Sequence, residues 1–485
     1  MNYQKTFKIF RLKESNPLIN ATVQALYSRS KKSLIDIIKD LKINYENFIN
    51  KYYINYGHKS IGDCGDVTLL IENVSSKVSM TIQHNRLYNG QEKSTRYVNF
   101  NTVEPVNILK EFYNDVDGIE ESIKIIDDIY SILKECYELV YKAFIITNTK
   151  YNSVIQYDNS KDENKIIITD KDYIKALEKY ALDYARFFLP IGIRTSLSFK
   201  TSISNLSLHL NLMKYGNKEL KSVTNNIYKY LEEQKDIIIY KPKDNDGYEK
   251  IANEYFSTRI LSETFIDTTI KVKRLDDEIL NNNIIKNIVE NNKSIIKNFP
   301  MDFLDNIVIT INDTMPYANF RDFHRHRTFN FSYCIGNRDI LNKDKNKISD
   351  YVHIDVLNVL REVLSSADYY ELEEKIRKII IKRTLLYHNL LSLNLKYNEI
   401  MDIMDYVSCF GSPVYFYAKT NLNAFNYLVD LRTKINTHEL FRKQIVKWLK
   451  ILDGTYFENF ISTPNNDWNH KGVVVERAKD DITKK

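Results

Sequence analysis

The sequence has little of the residues that interrupt or cross-link a chain. Its 485 residues include 12 glycines, 8 prolines and 4 cysteines. Few glycines and prolines leave long stretches without a helix breaker, so long helices are expected. Cys64, Cys136, Cys334 and Cys409 lie far apart with no C-x-x-C pair, which speaks against a zinc site and a disulfide framework. No metal is expected. No run of about 18 apolar residues occurs, and Met1 to Phe10 has no apolar signal core, so a cytoplasmic setting without a membrane partner is expected. A basic tail and an aromatic-glycine RNA motif are also lacking. The net charge of +6 is mild over this length, so no nucleic-acid partner is expected. What remains, 43% hydrophobic and 27% charged residues, is the balance of an ordinary globular protein long enough for two or three domains.

In chain order, residues 16–50 read as helix, with Asn16 as N-cap and Pro17 at the first helical position. Val67 to Ile71 reads as a buried strand, Val74 to Gln83 as helix and Leu87 to Gly90 as a turn. Residues 107–147 are mostly helical. Thr169 to Phe188 carries an apolar stripe, a Thr169/Asp172 capping box and a terminating Pro190. Leu206 to Glu233 is helical. Lys241 to Gly247 is polar and holds a Pro and a Gly, which makes it the best boundary. The expected division is a first lobe at 1–240, a linker at 241–250 and a second lobe at 251–485. In the second lobe, residues 250–297 read as helical, Ile307 to Ile311 as a strand and 351–405 as helical. Gly411 to Pro413 reads as a loop, Asn421 to Leu452 as one long helix, and the tail after Trp468 as polar and loose.

The most concentrated chemistry is Arg321-Asp322-Phe323-His324-Arg325-His326-Arg327. Five of these seven side chains are Arg or His, and Asp322 alone cannot balance them. Arginine offers planar paired donors that suit phosphate, so a phosphorylated ligand or cofactor is one reading and a solvated basic face the other. Self-comparison aligns Asp66–Glu72 with Ile307–Asp313, and His84-Asn85-Arg86 with Arg325-His326-Arg327, at a shift of 241. At a smaller shift, Leu206 to Glu233 corresponds to Phe425 to Leu452. Both halves therefore run strand, helix, cationic triplet, which points to a diverged internal repeat.

Further short blocks are Gly57-His58-Lys59-Ser60, Gln91-Glu92-Lys93-Ser94-Thr95-Arg96-Tyr97 and Arg186-Phe187-Phe188-Leu189-Pro190. Asn421, Phe425, Leu428 and Arg432 fall on one helical stripe. With the triplet, these resemble the flavin-dependent thymidylate synthase family. Its pattern runs Gly-His-x-Ser/Thr, strand, helix, Arg-His-Arg, Glu-x-Ser-x-Arg-Tyr, an Arg before Leu-Pro, and a late helix with an Asn and an Arg. The first half departs at His84-Asn85-Arg86, at Asn89 where the motif serine would stand, and at Met213 where the late arginine would. The second half has Ile335-Gly336-Asn337 in place of Ser-x-Arg and Asn298-Phe299 in place of Gly-His. Each half has thus kept one side of a site that the family builds between subunits.

The resemblance implies an α+β fold of two tandem helix-rich lobes with small mixed sheets. It also implies a composite site between the lobes that performs reductive methylation of dUMP with FAD, NADPH and methylenetetrahydrofolate. Arg432 is the catalytic candidate, stabilising a uracil ring deprotonated at N3. Glu92, Ser94, Arg96, Arg186 and Arg325 would bind the nucleotide, and His58, Ser60, Arg325, His326, Arg327 and Asn421 the flavin. A homodimer would mimic a four-lobed assembly. Structural alternatives remain open: Arg186 could pair with Asp183 on its own helix, and Arg432 with an internal carboxylate. A related pyrimidine modification such as hydroxymethylation, or a non-catalytic nucleotide-binding protein, are the functional alternatives.

Overall fold

Two antiparallel sheets organise the chain, one in each half. In the computed structural model the described residues are 8–11, 16–27, 45–55, 59–148, 170–234, 237–239, 269–274, 302–336, 347–453 and 461–471. The first sheet orders β1 (Lys8–Arg11), β2 (Asp66–Ser75) and β3 (Arg194–Ser202). The second comprises β4 (Thr269–Arg274), β5 (Ile307–Pro316), β6 (Asn330–Ile335) and β7 (Pro413–Asn421), ordered β4-β5-β7-β6. Every pairing between these strands is antiparallel, in place of the mixed pattern expected. In β5, fully buried residues alternate with half-buried ones from Ile307 onward, as a strand with one face in a core requires.

The helices that frame the contact between the halves are α1 (Ser76–Gln83), α2 (Glu120–Asn148), α3 (Asp170–Ala185), α4 (Ile203–Met213) and α5 (Lys218–Gln234) in the first half. In the second they are α6 (Tyr317–His324), α7 (Ser366–Leu391), α8 (Leu422–Arg432) and α9 (Glu439–Leu452). A 3₁₀ turn, Arg186–Phe188, follows α3.

Several elements differ from the sequence reading. The stretch 16–50 holds a helix at Pro17–Tyr27 and another at Tyr45–Ile49, followed by a π turn at Asn50–Asn55. β4 lies inside 250–297, which reads as helical. Its Thr-Ile-Lys-Val-Lys-Arg alternates every second residue, and it pairs along β5. The stretches 206–233 and 421–452 each split into two helices. In the first, Gly216 sits in the break, packed so closely on Leu220 that a Cβ would overlap it. In the second no Gly or Pro marks the break. Thr433 turns its hydroxyl back onto the Val429 carbonyl at 2.7 Å, and His438 caps α9 by accepting from Leu440 N at 3.2 Å, so polar side chains end one helix and start the next. Thr169 and the 241–250 boundary lie outside the described residues, and the start of the tail is tied down where Trp468 and His470 offer their carbonyls to Arg442.

The halves meet through a reciprocal set of backbone bonds. Ile191 N donates to Ser408 O (2.7 Å), and Phe410 N, 219 positions after Ile191, donates to Leu189 O (2.8 Å). Gly192 N reaches Tyr406 O at 3.0 Å while Gly411 N reaches Phe187 O at 2.6 Å. Both positions are glycine for the same reason. A Cβ on Gly192 would meet Tyr130 and Tyr406, and one on Gly411 would meet Phe187, where two backbones cross. Ser76 and Tyr317, 241 positions apart, start α1 and α6 and touch each other through their hydroxyls at 3.4 Å. This reciprocity defines an approximate two-fold axis. The larger core runs across it, taking Ile126, Leu133 and Val140 from α2 and Ile376, Ile379 and Leu386 from α7.

Candidate active site at the lobe boundary

The first lobe contributes a loop pinned to its own sheet. Ser198 N donates to Gln91 O (2.8 Å) and Lys93 N to Ser196 O (2.9 Å), so residues 91–93 lie along β3. The chain then turns tightly. Ser94 accepts from Arg96 N at its hydroxyl (3.3 Å) and from Val98 N at its carbonyl (3.1 Å). This aims Arg96 at α3, where Nε and Nη2 grip the two oxygens of Asp183 at 2.7 and 2.9 Å. Nη2 also donates to Asn436 O of the second lobe at 3.0 Å. Burial works against the Arg96 charge, but Asp183 more than compensates and holds the guanidinium firmly protonated.

The second lobe contributes α6 and the triplet that follows it. Basic residues gather at the C-terminal end of this helix, where the backbone dipole favours them. Arg321 reaches across to Glu92 at 2.5 Å, with its guanidinium over the Phe410 ring, and Arg325, one turn on, approaches the other Glu92 oxygen at 3.7 Å. Gln83 adds a bond to Glu92 at 2.9 Å. Burial alone would raise the Glu92 carboxyl, but Arg321 and Arg325 bring it below its ordinary value. The sequence reading gives Glu92 to the substrate. Its carboxylate oxygens form a clamp between the two halves.

Asp322 sits at the centre of the remaining cations. Arg186 approaches its Oδ2 at 3.4 Å, and Arg432 donates to its backbone carbonyl at 2.8 Å. Its carboxyl is half-buried, and Arg186, Arg96, Arg325 and Arg432 hold it well below the usual carboxylate range. Arg186 therefore pairs across the lobes, not with Asp183 of its own helix. It is 2% exposed, its Nε has no hydrogen-bond partner among the described residues, and burial pushes its pKa down to about 10. Arg432 Nε donates to His326 Nε2 at 2.9 Å. Burial and Arg432 push His326 down to about 3, so its ring is neutral and can serve as that acceptor. Arg327 lies over the Tyr88 ring and donates to Asn89.

The structure thus brings Glu92, Ser94, Arg96 and Arg186 of the first lobe to Arg325, His326 and Arg432 of the second. Two flavin candidates are placed otherwise. Asn421 caps α8, accepting from Ala424 N at 2.8 Å, at the opposite end of that helix from Arg432. Ser60 is exposed, and among the described residues its one bond is local, its carbonyl facing the Cys64 thiol. His58 lies outside the described residues. A narrow pocket lined by Asp183, Tyr184, His438 and Arg442 opens beside the Arg96 carboxylate partner. Sequence reasoning names Arg321 only within the basic segment, with no role of its own, and does not reach Asn436. Arg321 was legible as the residue four before Arg325, hence on the same helix face, whereas a backbone carbonyl leaves no sequence signal.

Residues 9–234 match the family model of thymidylate synthase complementing protein. That stretch of the chain is thus similar to this family. UPF0159 protein Ta1429 of Thermoplasma acidophilum is 27% identical over 199 residues, which are 39% of this chain and 40% of that protein. The match thus spans two fifths of a relative of nearly the same length. Two crystal structures of thymidylate synthase X from Helicobacter pylori with FAD and dUMP are 14% and 15% identical. They cover 51% and 47% of this chain and 99% and 90% of theirs, with TM-scores of 0.26 and 0.24. No helix among the described residues is long and apolar enough to cross a membrane.

Proposed function

We propose that this thymidylate synthase-like chain carries out flavin-dependent reductive methylation of dUMP to dTMP, with methylenetetrahydrofolate as carbon donor and NADPH as reductant, at the cleft between its lobes. The observation that carries this reading is the convergence of Arg96 and Arg186 with Arg325 and Arg432 around Asp322. Arg186 is the natural phosphate ligand. It is buried, incompletely paired and under-compensated, so a phosphate supplies what its surroundings lack. Arg96, held on Asp183, and the Ser94 turn flank it. Arg432 stabilises negative charge on the uracil ring, and His326 holds its guanidinium in place.

For the flavin, Arg325 and Arg327 fit a diphosphate. Arg325 is 34% exposed, and Arg327 has an Nε without a partner among the described residues. His326 and Asn421 do not fit direct contact, since one is buried behind Arg432 and the other caps a helix. When bound, the flavin supplies the hydride; the protein's part is to bind, orient and polarise the nucleotide. No enzyme thiol is required.

His326 behind Arg432 and Asn421 at a helix cap favour a second reading, a nucleotide-binding protein that holds no flavin. Visible absorption separates the two. An oxidised-flavin band that NADPH bleaches supports the enzyme, and a colourless protein that takes up no added FAD supports the alternative. Product analysis then separates methylation from hydroxymethylation. Pairing of two chains into a four-lobed assembly belongs to the same proposal and is read from the mass in solution.

A further inference from the structure

The two-fold relation between the lobes generates a second cleft. There α1 and the triplet His84-Asn85-Arg86 of the first lobe face β6 and the helix Tyr397–Tyr406 of the second. The correspondence holds at the level of single bonds. Arg327 donates to Asn89 in one cleft and Arg86 to Asn330 in the other, each pair shifted by 241. Any difference between the clefts can therefore be read residue against residue.

Among the described residues the differences remove most of the anion-binding groups, although Arg86 stands where Arg327 does. Where the first cleft has Arg186, 219 positions on stands Asp405. Met213 replaces Arg432, and at a shift of 241 Met80 replaces Arg321 and His84 replaces Arg325. The ion pair across the boundary is also reversed. In the first cleft an anion on the helix, Asp322, meets a cation on the 3₁₀ turn, Arg186. In the second a cation on the helix, Lys77, meets Asp402 at 2.5 Å and Asp405 at 2.7 Å, with only 13% of its side chain exposed. His84 is taken up by His324, ring nitrogen to ring nitrogen at 2.8 Å. The flanking helices pair with the opposite polarity, the first half now supplying the anions. Glu135 and Asp128 of α2 pair with Lys375 and Lys382 of α7, so the first lobe supplies both anions and the second both cations.

We propose that this second cleft does not take an anionic nucleotide and serves instead as an internal lock closed by Lys77 on Asp402 and Asp405, leaving one nucleotide site per chain. The inference rests on the nucleotide reading of the first cleft. Among the described residues, one cation between two carboxylates leaves the centre of the second cleft net negative, where an arriving phosphate meets repulsion in place of Arg186. The lobes have accordingly divided their work, one contact for the ligand and its counterpart for cohesion.

Two measurements on the full chain test this. Equilibrium titration with dUMP in the presence of FAD should give one nucleotide per chain, and Arg186→Met should remove it entirely. Two nucleotides per chain, or one left in Arg186→Met, overturns the proposal. Separately, Lys77→Met should lower the thermal midpoint by several degrees and leave the stoichiometry at one. Asp405→Asn, which keeps one carboxylate, should give a smaller drop that is measurable even if Lys77→Met does not accumulate. An unchanged midpoint in Asp405→Asn and Lys77→Met overturns the lock. Should dUMP not bind at all, the substrate reading fails, while the two midpoints still decide the lock.

Discussion

Replacing Arg321 with methionine tests how the lobes are joined beside the site. The Arg321 side chain is 6% exposed and that of Glu92 2%, with Nη2 and Oε1 at 2.5 Å. Arg321→Met keeps an apolar stem near the Phe410 ring and strands Glu92, which retains Gln83 at 2.9 Å and Arg325 at 3.7 Å. Removing one partner of a buried pair costs about 3–5 kcal/mol. Arg325 is partly exposed and screened by solvent, so it offsets little, and a loss of about 3 kcal/mol is expected. Adding Glu92→Gln removes the stranded charge and should restore about 2 kcal/mol or more. Urea unfolding of the wild type, both single variants and the double variant gives the coupling. A loss below about 1 kcal/mol in Arg321→Met, or a double variant no more stable than that single one, refutes the clamp.

Other outcomes follow from the same geometry. Arg186→Met should abolish the rise in thermal midpoint that dUMP gives the wild type; a retained rise would mean that the phosphate sits elsewhere. His326→Ala should lower kcat more than KM because Arg432 loses its acceptor, with His326→Gln restoring part of it; equal loss in both variants would remove the positioning role. His326 also makes stability depend on pH. Its folded pKa, near 3, lies below the unfolded value of about 6.5, so its contribution is full above about 6.5 and is lost as pH falls toward 3. The difference between wild-type and His326→Gln midpoints should change across that window, and a constant difference would contradict the buried neutral ring.

Much of the site could be read from the chain because its chemistry is local. A seven-residue segment with three arginines and two histidines announces itself, and so does a Ser-x-Arg turn. What those cations meet is not local. Asp183 becomes the partner of Arg96 only once the 91–98 loop folds onto α3, and Asp322 that of Arg186 only once α6 packs across the boundary. The sequence offers Asp183 to Arg186 by helix spacing, and the folded chain gives it to Arg96. Asn421 is a different case. It shares a helical stripe with Arg432, but a stripe runs the length of a helix, and an asparagine at the first position is used first as a cap. β4 was missed because six alternating residues are outweighed by the helical spacing around them. The split of α8 from α9 was missed because Thr433 and His438 break a helix without any glycine or proline.

The central claim is that a single chain completes the site from both of its lobes. The direct measurement is dTMP formation from dUMP, methylenetetrahydrofolate, NADPH and FAD by the wild type, by Arg96→Ala, by Arg432→Ala and by an equal mixture of the two variants. The account predicts product from the wild type, none from either variant, and none from the mixture, since each chain then has one damaged side in its own cleft. Activity recovered in the mixture would place the site between chains, and full activity in Arg96→Ala and Arg432→Ala would remove the composite cleft from the reaction.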